Sequence, residues 1–149
     1  MRRTTKVHRI FLCQMIENCR REIEELHQFF QDWFNGDLPQ TDESFVRFAD
    51  VMAADFEMVS PNGRSTTISN LQPALRQRYG SWQNGRIWIE NVRVHWQKGD
   101  LLLVVYEEWQ VVDGEKNGRL SSALFQQQPD LPNDLLWLYV HETWLPKSE

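Results

Sequence analysis

The chain has 149 residues, 41% hydrophobic and 25% charged, which is enough apolar material for one ordinary domain and too much for wholesale disorder. Twenty-one acidic residues against sixteen Lys and Arg leave a formal charge of -5. That balance disfavours a broad nucleic-acid-binding surface, which works by neutralising phosphates. No apolar run approaches the roughly 20 residues that cross a bilayer, and the start lacks the apolar core of a secretory signal. The sequence therefore predicts no nucleic-acid partner, no membrane partner and a cytoplasmic location.

Residues 1–6 are expected to be a flexible end, with Arg2, Arg3, Lys6 and Arg9 forming a solvated basic cluster. From Val7 to Phe34, apolar positions including Ile10, Phe11, Met15, Cys19, Ile23, Leu26, Phe30 and Trp33 recur at helical spacing and predict a long amphipathic helix. Asn35-Gly36 and Pro39 end it. Cys13 and Cys19 lie about 9 Å apart along such a helix, too far for a disulfide between them, so both are expected as free thiols. Thr41 or Asp42 can cap a second helix whose inward stripe is Phe45, Phe48, Ala49 and Met52.

Asp55 to Ser60 reads as a short strand, Pro61-Asn62-Gly63 as a turn, and Ser65 to Ile68 as a second extended piece. Ser69 or Asn70 can cap a third helix carrying Leu71, Leu75 and Tyr79, with Pro73 in its first turn and Gly80 at its end. Four longer extended stretches come next, at Arg86 to Gln97, Leu101 to Val112, Arg119 to Gln128 and Leu135 to Leu145. Lys98-Gly99-Asp100 suits a hairpin, whereas Asp113 to Gly118 and Pro129 to Asn133 read as longer connections. Helices first and an antiparallel meander afterwards predict an α+β fold, with residues 1–149 read as one domain.

Two stretches carry a family resemblance: Asp55-Phe56-Glu57-Met58-Val59-Ser60-Pro61-Asn62-Gly63, and Trp137-Leu138-Tyr139-Val140-His141-Glu142-Thr143-Trp144. With the order of elements, they make the chain resemble a nuclear transport factor 2-like domain of the SnoaL-like, ketosteroid-isomerase-like kind. The resemblance implies a cystatin-like roll, in which a strongly curved antiparallel sheet wraps around three N-terminal helices as a cone and leaves a pocket at one end. It also implies dimers through the sheet. The superfamily contains isomerases, cyclases, dehydratases, transport factors and noncatalytic assembly domains, so the resemblance speaks to fold more than to activity.

On the strand from Leu101 to Val112, Val104, Tyr106, Glu108 and Gln110 share one side, while Leu103, Val105, Glu107, Trp109 and Val111 share the other. Tyr106 and Glu108 are expected at the pocket, and Trp109 at a dimer surface. Strict alternation on the last strand groups Trp137, Tyr139, His141 and Thr143 opposite Leu138, Val140, Glu142 and Trp144. The ligand-binding candidates are thus Asp55, Glu57, Tyr106, Glu108, Trp137, Tyr139 and His141. Arg64, or Arg93 with Asn91 and His95, could admit an anion but read more simply as surface groups.

The leading expectation is a homodimer, paired through the sheet, that binds a small apolar or weakly polar ligand. An enzyme alternative is an isomerase, dehydratase or cyclase that moves a proton on a small apolar carbonyl compound. There Asp55 or Glu108 would be the base and Tyr106 or His141 the donor. A third alternative is a noncatalytic assembly module. No metal and no cofactor are expected, because His8, His27, His95 and His141 lack ligand spacing and no phosphate loop or dinucleotide fingerprint is present.

Overall fold

A computed structural model describes residues 4–147 of the chain. Its first helix, α1 (Thr4–Phe34), turns the apolar stripe of the sequence into one continuous packing face. Cys19, Ile23, Leu26, Phe29 and Trp33 are buried along it, while Val7, Ile10 and Phe11 are exposed where the helix outruns its packing partners. Arg2 and Arg3 of the expected flexible end lie outside the described residues, and Thr4 to Lys6 belong to α1.

Helix α2 (Asp42–Ala49) is capped by Thr41, whose hydroxyl oxygen accepts from the Ser44 amide at 3.1 Å. It buries Phe45 and Phe48 against Phe29, Phe30 and Trp33 of α1. Strand β1 (Met52–Val59) starts earlier than its alternation suggests, taking Met52 out of the expected helix, and pairs with the short β2 (Ser65–Thr67). Helix α3 (Ile68–Gln77) begins before Ser69, so Pro73 falls in its second turn and not its first. The loop after α3 then docks on the end of α1: the amides of Gly80 and Trp82 donate to the carbonyls of Trp33 and Phe34 at 3.1 and 2.8 Å. Those bonds satisfy carbonyls that a helix end leaves without partners, and they hold this loop beside Phe34.

The remaining strands are β3 (Arg86–Lys98), β4 (Leu101–Val112), β5 (Glu115–Gln127) and β6 (Leu135–Trp144), in a sheet ordered β2-β1-β6-β5-β4-β3. The meander from β3 to β6 is antiparallel as expected, but β1 runs parallel to β6, so the sheet is mixed. A long crossover separates the two in sequence, and parallel pairing requires such a connection. β5 starts at Glu115 because Asp113 and Gly114, with φ of 53° and 79°, make a two-residue hairpin turn where a longer polar connection was expected.

Register shifts interrupt the β1–β6, β3–β4 and β5–β6 ladders, and such bulges bend and coil a sheet. The result is the curved sheet and three helices of a nuclear transport factor 2-like, cystatin-like α+β fold. Cross-strand rows sort its two faces. Facing the helices are Leu102–Phe125–Trp137, Val104–Ala123–Val140, Tyr106–Ser121–Glu142 and Glu108–Arg119–Trp144. The outer face carries Trp96–Leu103–Leu124–Tyr139, Val105–Ser122–His141 and Trp88–Trp109–Gly118. The main core sits between the helices and the first of these faces.

Candidate functional site

A cavity of about 150 Å³ lies between α1, α2, α3 and the helix-facing side of the sheet. Phe30, Phe34, Phe48 and Phe56 supply much of its apolar wall, and His27, Arg78, Glu108, Gln110, Arg119 and Glu142 supply polar groups. Buried charges survive only when paired and hydrogen-bonded. The pairing here is uneven, and that unevenness gives the site its character.

His27 sits in the buried stripe of α1. Its Nδ1 is 2.7 Å from the Ile23 carbonyl oxygen and its Nε2 is 2.9 Å from Glu108 Oε1. The Ile23 carbonyl can only accept, so Nδ1 donates to it, and a Glu108 carboxylate opposite Nε2 favours the doubly protonated ring. Burial opposes that charge, but the Glu108 carboxylate outweighs it and raises the His27 pKa. Burial likewise opposes ionisation of Glu108, and His27, with Arg119 and the Gln110 amide, overcomes it and holds Glu108 below the usual carboxylate range.

Arg119 bridges the two carboxylates: Nη1 is 3.2 Å from Glu142 Oε2, and Nε is 3.7 Å from Glu108 Oε2, the latter too long for a hydrogen bond. Glu142 moves the other way from Glu108, its pKa raised by burial and then by repulsion from Glu108. Two neighbouring carboxyl groups pushed apart in this way can hold one proton between them without both being neutral. Burial and the two carboxylates push the Tyr106 phenol well up, so it stays protonated. Arg119 Nε and Glu142 Oε1 are buried without a hydrogen-bond partner, as is Asn117 Oδ1 farther along β5, while Ser121 Oγ lies beside the Tyr106 hydroxyl. Buried polar atoms are nearly always paired, so the two on Arg119 and Glu142 stand out among the groups of the cavity wall.

Arg78 lies just beyond α3 and stands at the cavity mouth, its guanidinium 4.1 Å from the centre of the Phe34 ring. No carboxylate lies within ion-pair distance of it among the described residues. Burial and then the nearby Arg119 charge lower its pKa. Behind the cavity, a third buried carboxylate, Glu22, accepts from Trp137 Nε1 at 2.9 Å, Arg47 Nη2 at 2.8 Å and Asn133 Nδ2 at 3.1 Å. That network locks the Trp137 ring, which forms part of the cavity wall.

Of the residues singled out from the sequence, Tyr106, Glu108 and Trp137 line this cavity. Asp55 and Glu57 are exposed on β1, and Tyr139 and His141 lie on the outer face, so these four are outside its wall. One local irregularity separates the groups. Leu124 pairs with Tyr139 whereas Phe125 pairs with Trp137, leaving Leu138 as an extra residue on β6 and reversing the alternation beyond it. Strict alternation consequently missed Glu142. His27 had a signal, a polar residue in line with Ile23, Phe30 and Phe34 on the apolar face of α1. Arg78 had none, because loop docking places it.

Residues 19–146 match the family described as sucrose-6-phosphate phosphohydrolase C-terminal. The chain is 24% identical over 127 residues to sucrose-phosphatase 1 of Nicotiana tabacum; the match covers 83% of this chain but spans only 30% of that protein's length. A solved NTF2-like protein of unknown function from Pseudomonas aeruginosa is 26% identical, with a TM-score of 0.78 over 87% of this chain and 99% of that one. The calcium/calmodulin-dependent protein kinase II hub of S. rosetta is 9% identical, with a TM-score of 0.57 over 68% of this chain and 82% of that one, a likeness of fold alone. With its curved sheet, its cavity and this match over most of its length, the chain belongs to the sucrose-6-phosphate phosphohydrolase C-terminal family and has a nuclear transport factor 2-like fold.

Proposed function

We propose that this chain is a small-molecule-binding domain that works as a homodimer. The ligand's body packs among Phe30, Phe48 and Phe56, and its polar end meets the charged side of the cavity. The observation that carries this reading is the buried polar corner. Arg119 and Glu142, both on the cavity wall, each keep an atom without a protein partner, at an energetic cost of roughly 1–3 kcal/mol apiece. Heteronuclear NMR with a fragment set of neutral and charged aromatic compounds should move side-chain signals of Gln110 and Arg119. A set that moves no signal of a cavity residue rejects the reading.

The homodimer is supported by the rows of apolar residues on the outer face, where Trp96 is 46% exposed beside Leu103, Leu124 and Tyr139. Light scattering over a range of concentrations should give twice the mass of the chain, and a monomer throughout that range rejects pairing. Proton transfer on a carbonyl substrate fits less well. Glu108 is held ionised by His27 and Arg119 and is a weak base, while Asp55 and His141 stand away from the cavity. The phosphatase name of the tobacco relative describes a protein of which this chain spans 30%, and it is not carried over to this domain.

A further inference from the structure

Resting on the reading of the cavity as a ligand site, we infer that its occupant is a small aromatic carboxylate, with its ring among the phenylalanines and its carboxylate against Arg78 at the mouth. The size comes from the volume: about 150 Å³ is the space that an apolar cavity gives to one benzene-sized ring. The body comes from the wall. Phe30 and Phe34 stack with ring centres 5.9 Å apart, Phe48 packs against Phe30, and edges and faces of this kind favour another aromatic ring. A sugar ring of the same size would lose water from several hydroxyls with few groups to replace it on that side.

The charge comes from the polar wall, where His27, Arg78 and Arg119 outnumber the carboxylates Glu108 and Glu142. His27 and Arg119 are committed to those carboxylates, whereas Arg78 has no carboxylate within ion-pair distance among the described residues and feels Glu108 only from farther off. This local excess is positive in a chain whose net charge is -5, so it is not a by-product of composition. Burial and then repulsion from Arg119 disfavour the Arg78 charge, Glu108 partly offsets them, and an anion beside the guanidinium adds to that offset. The planar guanidinium already lies over Phe34, an arrangement that leaves its N–H edge available for a bidentate carboxylate.

Calorimetric titration of the full chain with benzoate and with its neutral isostere benzamide tests the inference. Benzoate should bind at least about tenfold more tightly. Arg78→Gln should reduce that preference to about one, and Arg78→Lys should keep most of it. Far-ultraviolet circular dichroism on each variant establishes that it is folded. Equal affinity for benzoate and benzamide in the parent chain overturns the carboxylate but leaves the cavity reading standing. Failure of benzoate, benzamide and benzyl alcohol alike overturns the cavity reading and this inference with it. Displacement of benzoate by glucose 6-phosphate or inorganic phosphate at equal concentration would replace the aromatic carboxylate with a phosphate ligand.

Discussion

His27 is fully engaged, donating from one nitrogen to a backbone carbonyl and from the other to Glu108. His27→Gln leaves a buried carboxylate short of its counter-charge and should cost about 3–5 kcal/mol in urea unfolding. The same pair shapes the pH dependence of stability. The raised pKa of His27 means that its contribution is complete below the unfolded value of about 6.5 and is lost as pH rises through the folded value. The lowered pKa of Glu108 means that its contribution is complete above about 4.3 and is lost as pH falls through the folded value. The raised pKa of Glu142 means that its contribution is complete below the unfolded value of about 4.3 and is lost as pH rises through the folded value. Unfolding free energy measured against pH should therefore peak in mildly acid solution and fall above neutrality. In His27→Gln the alkaline fall should be smaller. Trp137→Phe removes one donor to Glu22 and should cost about 1.5–3 kcal/mol, read by the same titration.

Strand pairing places Gly118 of β5 opposite Trp109 of β4, and the Trp109 ring lies so close that a Cβ on Gly118 would meet it at 2.5 Å. Gly118→Ala should destabilise the sheet by about 1–3 kcal/mol, since the ring must leave its place on the outer face. The Trp109→Ala background should abolish most of that penalty, a coupling that a double-mutant cycle measures directly. At this scale the sequence was legible where a period ran without interruption. The alternation of β4 placed Tyr106 and Glu108 on one face with Gln110, and all three are on the cavity wall. The same rule applied to β6 sorted Tyr139 and His141 with Trp137, because nothing in Trp137-Leu138-Tyr139 marks an inserted residue. The stripe of α1 placed Ile10 and Phe11 with the core residues, yet helical period alone does not say how far the sheet will reach along the helix.

At the scale of the whole molecule, the two sheet faces divide the proposed work: one closes the cavity, and the other supplies the apolar rows of the proposed dimer. Trp96→Lys should weaken self-association at least about tenfold in sedimentation equilibrium, as expected for an exposed aromatic anchor in an interface. Benzoate affinity should be unchanged, because Trp96 is on the outer face and outside the cavity wall. Loss of ligand binding together with loss of pairing would mean that the two faces are coupled.

By itself the sequence determined the α+β class, the long first helix, a cap for the second helix at Thr41 or Asp42, the turn at Gly99, and the face of β4 that carries Tyr106 and Glu108. These depend on periods and turn chemistry that act over a few residues. Only the tertiary structure decided the parallel pairing of β1 with β6, the reversal of faces at Leu138, and the meeting of His27, Arg78, Arg119 and Glu142 around one cavity. Those four come from a helix, a loop and two strands, and what joins them is the balance of charge and burial across the closed fold, which no local pattern encodes.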